Sequence, residues 1–305
     1  MKNKVLSTEN QSTPALQRTI IISNRRFLSP SSEMAGGDGR IIFNRTGVHM
    51  DIKQYAQRAL TLMDLTSLED NDTDEKIRQL CANAVTPFGH TAAVCVYPRF
   101  SGVAHDALGA DSAVKIATVT NFPHGGADVD LTIRETESAV AAGAHEVDVV
   151  FPYRAYLDGD MMVGRDLVAA CAEVCHARDV LLKVIIESGE LVSERVIRSV
   201  SELVIDAGGD FLKTSTGKVK VNATPEAARY MIETIRASER RNLGFKAAGG
   251  VRTVQDAMVY LDLAREIMGA DWVKPAIFRF GASGLLNNLL ATLNDTDSTI
   301  NHSNY

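Results

Sequence analysis

From Met50 to Ala282 the chain switches eight times between a short apolar run and a longer segment with helical spacing. The runs cover 60–65, 91–97, 115–120, 146–151, 181–187, 210–216, 244–250 and 278–282. They are rich in Val, Ile, Leu and Ala and alternate little with polar residues. Strands covered on both faces of a parallel sheet look like this, because both sides of the pleat are buried. Parallel neighbours need a long crossover, and the intervening segments are long enough to be helices. Eight such units over about 230 residues match the size of an α/β fold of the (β/α)8 barrel kind. An open doubly wound sheet would call for a Gly-rich turn after the first strand, with an acidic residue further on. The first run instead ends Met63-Asp64-Leu65-Thr66.

Helices are expected over 73–85, 130–142, 165–177, 193–207, 225–238 and 253–268. Thr73-Asp74-Glu75 supplies a cap and an acidic first turn. Pro225 follows Thr224, a capping residue with proline at the first helical position. Gly143 stops the helix that precedes it.

The barrel pattern does not extend to either end. Residues 1–49 hold seven Lys/Arg against three Asp/Glu, net +4, and the remainder holds 25 against 35, net −10. The first 49 residues are Ser- and Asn-rich with only short apolar runs such as Ile20-Ile21-Ile22. They lack the apolar stretch of a secretory signal and a clear amphipathic stripe. Disorder is the expectation, with a transit peptide or an ordered arm as alternatives. Met50 opens the first well-patterned segment, so it is also a candidate translation start. A chain starting there is expected to fold and work alone. The expected domain is 50–290, followed by a polar flexible tail at 291–305.

The net charge of −6 gives no reason to expect nucleic acid or an anionic membrane as partner. No apolar run approaches a membrane span. Four cysteines (Cys81, Cys95, Cys171, Cys175) are too few and too uneven for a disulfide framework, which points to a reducing, cytoplasmic setting.

In a barrel, side chains from all eight strands converge near the strands' C-terminal ends. Polar residues inside the apolar runs are therefore informative: Asp64, Cys95, Asp148, Lys183, Glu187, Lys213, Lys246 and Arg279. A buried charge is costly unless paired. Taken singly, Lys183 and Glu187 read as members of structural ion pairs. Asp148, Lys213 and Lys246 do not, because they lie on three strands at intervals of 65 and 33 residues, about two repeats and one. An ammonium on a buried strand loses hydration, and a second cation nearby penalises it further. Both effects free the amine as a nucleophile.

The last three strands are each followed by a glycine turn: Thr214-Ser215-Thr216-Gly217-Lys218, Gly249-Gly250-Val251-Arg252 and Gly281-Ala282-Ser283-Gly284. Glycines let backbone N–H groups approach an anion, while Lys218 and Arg252 add charge. Phosphate sites in barrels often sit on the final loops. Schiff-base chemistry on a phosphorylated carbonyl compound is the reading.

Several runs closely resemble deoxyribose-phosphate aldolase, a class I aldolase family. They are Glu146-Val147-Asp148-Val149-Val150-Phe151-Pro152, Leu181-Leu182-Lys183-Val184-Ile185-Ile186-Glu187, Phe211-Leu212-Lys213-Thr214-Ser215-Thr216-Gly217-Lys218 and Gly244-Phe245-Lys246-Ala247-Ala248-Gly249-Gly250-Val251-Arg252. Leu62-Met63-Asp64-Leu65-Thr66 and Thr118-Val119-Thr120-Asn121-Phe122-Pro123-His124-Gly125 join them. The resemblance spans the chain from Met50 onward. It implies that Lys213 forms the Schiff base, that Lys246 lowers its pKa and that Asp148 serves the proton relay. It further implies that Gly217, Lys218, Gly249, Val251, Arg252, Gly281 and Ser283 hold the phosphate. Asp64, Cys95 and a terminal Tyr305 that folds over the site are accessory candidates. The implied reaction is cleavage of 2-deoxyribose 5-phosphate in deoxynucleoside catabolism, with no cofactor and no metal. The implied partners are sugar phosphates and aldehydes, and a homodimer is an admissible assembly. The chain departs from the family at Ala247, where Pro is frequent, at Gly284, where Ser is, and at His90, where Asn is.

Other signals read as structural. Cys171, Cys175 and His176 share a helix without a second ligand pair, so the cysteines are expected in the core. Cys95 is expected as a core thiol and His124 as a turn residue or substrate contact. Competing functions are another sugar-phosphate lyase or isomerase using both lysines as phosphate cations, a metal-dependent aldolase, and a non-catalytic binding barrel.

Overall fold

The helix starts are set by single side chains. Thr73, Asp128, Asp160, Ser193, Thr224 and Thr253 each stand at an N-cap, and each side chain accepts the backbone N–H three residues on. Each cap satisfies a donor that the helix itself cannot, and it fixes where the crossover turns back along the sheet.

The computed structural model describes residues 50–240 and 242–295. The expectations for residues 1–49, for most of the tail and for Tyr305 therefore lie outside the described residues. Eight parallel strands form a closed barrel: β1 (Met63–Thr66), β2 (Ala93–Val96), β3 (Lys115–Thr120), β4 (Glu146–Val150), β5 (Leu181–Ile185), β6 (Phe211–Lys213), β7 (Gly244–Ala248) and β8 (Phe278–Ala282). Chain order is strand order, and β1 closes the ring by pairing with β8, Met63 opposite Phe280 and Asp64 opposite Gly281. All eight expected strands are present.

Side-chain alternation sorts the apolar residues into two bodies. Val94, Val96, Val147, Val149, Leu182, Val184, Leu212, Phe245, Phe278 and Phe280 belong to the large core shared with the helices. Ala93, Cys95, Ala117 and Val119 form a second, small cluster with Leu68. These four alternate with the outward residues of β2 and β3, so they line the barrel interior. The remaining interior positions, on β4 to β8 and β1, carry seven buried charged side chains. The interior thus has one apolar wall and one ionic wall.

Some elements differ from expectation. Leu60 belongs to a helix, Ile52–Thr61, opened by a capping box of Asp51 and Gln54, and the first strand begins only at Met63. Short helices also occupy Ser101–Leu108 and Tyr153–Leu157, and a two-stranded hairpin pairs Val85–Thr86 with Gly89–His90. The helix Leu285–Leu293 runs past the expected boundary at 290, because Leu285, Leu286 and Leu289 are buried and Leu293 packs on the core. Among the described residues no helix is long and apolar enough to cross a membrane.

Candidate active site

Every interior charge on the ionic wall has its partner on another strand. Lys213 Nζ and Lys246 Nζ both donate to Asp148 Oδ2, each at 2.7 Å. Lys183 Nζ donates to the other oxygen, Asp148 Oδ1, at 2.8 Å, and lies 2.6 Å from Glu146 Oε2. Lys246 Nζ also reaches Asp64 Oδ2 at 2.5 Å. Arg279 bridges Asp64 Oδ1 at 2.6 Å and Glu146 Oε1 at 2.7 Å. Register explains the convergence: Asp148 stands opposite Lys183, Lys213 opposite Lys246, and Lys246 opposite Arg279. Below them Phe211 fills the interior, with Lys183 Nζ 5.8 Å and the Arg279 guanidinium 6.0 Å from its ring centre. Gly244 makes room for that ring, since a Cβ there would come within 2.4 Å of it.

All seven charged residues are buried. Asp64, Glu146 and Asp148 face Lys183, Lys246, Arg279 and Lys213, so the cluster is neutral when one of the four bases gives up its proton. The electrostatics select Lys213. Burial lowers its pKa, the Lys246 charge lowers it further, and Asp148 only partly opposes them. For Lys246 burial acts the same way, but Asp148 and Asp64 outweigh it and hold the ammonium charged. Lys183, beside Asp148 and Glu146, and Arg279, beside Asp64 and Glu146, are likewise held charged against the burial that opposes it. Burial disfavours ionisation of the three carboxyls too, yet their cationic neighbours keep all three below the usual carboxylate range. The arrangement offers a buried amine of lowered pKa between a fixed cation and a fixed carboxylate.

The other expected residues within the described part lie on β2, on β8 and on the loops after β6, β7 and β8. Cys95 is buried on the apolar wall, and burial pushes its thiol up. Gly217 has φ +84° and is exposed, next to Lys218, whose Nζ lies 3.3 Å from Glu69 Oε1. Gly249 has φ +82° and faces Asn222, which a Cβ would meet at 2.6 Å. Val251 is buried, while Arg252 and Ser283 are exposed on the neighbouring loops. Gly284, the N-cap of Leu285–Leu293, leaves that helix start without a side-chain cap. Gly281 has a steric duty as well: a Cβ there would lie 2.9 Å from Lys246 Cε.

One expectation changes. Lys183 is in ion pairs, as expected, but Glu187 is in none among the described residues: its carboxylate accepts the Thr216 backbone N–H instead. Glu146 escaped the sequence reading because it opens its strand, where an acidic residue looks like a surface edge. Its partner Arg279 was the available signal, since a buried guanidinium needs a carboxylate. Cys171 and Cys175 are buried in Met161–His176, their thiols pushed up to about 11 and about 12 by burial. His176 pairs with Asp210 at 2.9 Å, and His124 receives Arg154 on its backbone oxygen at 2.6 Å. His90 sits in the hairpin ahead of β2, away from the strand ends that carry the site. Among the described residues no group of three His, Cys, Asp or Glu is set to hold a metal ion.

The model of the DeoC/LacD family of aldolases matches residues 58–290. The chain belongs to that family. It is therefore an aldolase, a lyase. Solved structures agree on the fold. A candidate deoxyribose-phosphate aldolase from Coccidioides immitis is 27% identical with a TM-score of 0.67, covering 78% of this chain and 86% of its own. A candidate deoxyribose-phosphate aldolase from Toxoplasma gondii ME49 is 22% identical with a TM-score of 0.73, covering 81% and 96%. The deoxyribose phosphate aldolase of Aeropyrum pernix, a tetramer, is 24% identical with a TM-score of 0.62, covering 79% and 92%. In the aldolase the ionic wall lies on strands β1 and β4 to β8, all inside the matched span.

Proposed function

We propose that this aldolase reversibly cleaves 2-deoxy-D-ribose 5-phosphate to D-glyceraldehyde 3-phosphate and acetaldehyde through an imine on Lys213. The observation that carries the reading is the shared oxygen: Lys213 and Lys246 both donate to Asp148 Oδ2 at 2.7 Å. In this reading nucleophile, cation and base share one hydrogen-bond radius.

The neutral Lys213 amine attacks the aldehyde carbon C1, and the carbinolamine takes up a proton and loses water to give a protonated imine. The C2–C3 bond then breaks, and its electron pair moves into the imine, which becomes an enamine. Asp148, acting through a water, takes the proton of the C3 hydroxyl as that carbon becomes the aldehyde of glyceraldehyde 3-phosphate. Protonation of the enamine at C2 and hydrolysis of the imine release acetaldehyde and return Lys213. Lys246 stays charged throughout and keeps Lys213 available as the free amine. The imine is the electron sink, so the reaction as written uses no metal.

The loops after β6, β7 and β8 are the proposed phosphate site, with N–H groups from Gly217, Gly249, Val251, Gly281 and Ser283 and the cations Lys218 and Arg252. The uncapped start of Leu285–Leu293 supports an anion there, because its first N–H groups have no side-chain acceptor. The test is direct. Incubation with 2-deoxyribose 5-phosphate should yield acetaldehyde and glyceraldehyde 3-phosphate in equal amounts, and Lys213→Ala should yield neither. A wild-type protein that leaves this substrate intact while cleaving a different sugar phosphate would redirect the reading within the family.

A further inference from the structure

Glu187 is a buried acid that forms no ion pair among the described residues. It follows β5 in the left-handed region, φ 54° and ψ 58°, where a residue with a long side chain is uncommon. Asp64, Glu146 and Asp148 are each in ion pairs, whereas Glu187 is in none among the described residues. Its two carboxylate oxygens instead accept the Thr216 backbone N–H, at 3.2 and 3.4 Å, and the Thr216 hydroxyl bonds the same carboxyl.

The surroundings show what this does. The ladder between the β5 and β6 segments continues past Lys213: Ile186 N donates to the Lys213 carbonyl at 3.0 Å, and Ser188 N to the Thr214 carbonyl at 2.9 Å. The left-handed turn at Glu187 then ends the regular pairing. The carboxylate supplies the next acceptor in place of a backbone carbonyl, so Thr216 stays pinned. Thr216 Oγ1 in turn accepts the Lys218 backbone N–H at 3.0 Å. A chain of contacts thus runs from Glu187 through Thr216 to Lys218, and Gly217 lies inside it. Backbone strain beside a site is retained where the surrounding structure over-determines it, and here the carboxylate does so.

We propose that Glu187 is a positioning residue that sets the geometry of the Thr216-Gly217-Lys218 turn for binding the substrate's phosphate. It touches neither the sugar nor the reacting carbons, and its effect is confined to the anionic end of the substrate. This rests on the reading of that turn as part of a phosphate site.

The experiment compares two side chains of nearly equal size. Glu187→Gln keeps an acceptor for Thr216 N, and Glu187→Met removes it. Both are assayed with 2-deoxyribose 5-phosphate and with unphosphorylated 2-deoxyribose, and the readout is the ratio of the two kcat/KM values. Glu187→Met should lower that ratio about tenfold, the scale of one buried hydrogen bond lost, through KM for the phosphorylated substrate. Glu187→Gln should keep the ratio within about twofold of the parent, because an amide oxygen can replace the carboxylate. Should Glu187→Met fail to fold, Glu187→Asp takes its place: it keeps the charge, falls short of Thr216 and should lower the ratio similarly. An unchanged ratio in the acceptor-deficient variant, or an equal loss on both substrates, overturns the proposal. Imine trapping with acetaldehyde in the parent protein tests the aldolase reading by itself, so the two failures are distinguishable.

Discussion

Lys213 and Lys246 donate to the same oxygen, Asp148 Oδ2, from adjacent strands and at the same distance of 2.7 Å. Two ammonium groups so placed would repel strongly in a buried site, and the neighbours decide which keeps its proton. Lys246 has a second carboxylate, Asp64, and Lys213 does not. In the proposed mechanism this asymmetry favours Lys213 as the nucleophile and Lys246 as the permanent charge.

Lys246→Met should therefore move the pH profile. The Lys246 cation lowers the Lys213 pKa, so its loss raises that pKa and shrinks the free-amine fraction at neutral pH. Activity at pH 7 should fall by about 10² or more, with part of it returning on the alkaline side as Lys213 deprotonates unaided. A folded variant inactive at every pH would mean that Lys246 acts in the chemistry itself.

Asp148→Asn separates imine formation from bond cleavage. Asp148 raises the Lys213 pKa, so removing its charge favours the free amine and imine formation should persist. The proton acceptor is lost, and kcat for cleavage should fall by about 10²–10⁴. Rapid-quench cleavage assays beside acetaldehyde trapping would show the split. Equal loss of both would contradict it.

Arg279 tests the ionic wall as a structural element. It is the cation shared by Asp64 and Glu146, and Arg279→Met leaves both short of a partner. Breaking a buried pair this way should cost about 3–5 kcal/mol at pH 7 by urea denaturation. The sign with pH follows from the depressed carboxyl pKa values. Their stabilisation is present above the unfolded pKa of about 4 and is lost as pH falls through the folded values. The gap between parent and variant should therefore narrow on acidification, and a widening gap would refute the assignment.

Gly281→Ala should act on turnover, not on phosphate affinity. The added Cβ would meet Lys246 Cε at 2.9 Å and Ala248 Cβ at 3.1 Å. Displacing Lys246 from Asp148 should lower kcat by about tenfold while KM changes little, since a small misplacement of a reacting group is enough. A rise in KM alone would return Gly281 to a purely phosphate-binding role.

The barrel was legible because parallel strands buried on both faces leave runs such as 146–151 and 181–187 dominated by Val, Ile, Leu and Phe. The polar residues that remain, Asp148, Lys183 and Lys213 among them, stand out against that background. The helix Ile52–Thr61 was not legible, because its apolar residues Tyr55, Ala56, Ala59 and Leu60 run straight into those of β1 and hide the break. Glu187 is outside the expected ion pair for a physical reason: strand position shows that an acid is buried, but not whether a cation or a Thr216 N–H compensates it. The local pattern also hid Glu146, whose role depends on Arg279, 133 residues away.

The central claim is that Lys213 carries the imine. Borohydride reduction in the presence of acetaldehyde, followed by peptide mass spectrometry, reads it without reference to turnover. Lys213 should gain about 28 Da, an ethyl group in place of one hydrogen, and Lys213→Ala should gain nothing. An adduct on Lys246, or no adduct in a protein that still cleaves its substrate, would contradict the account.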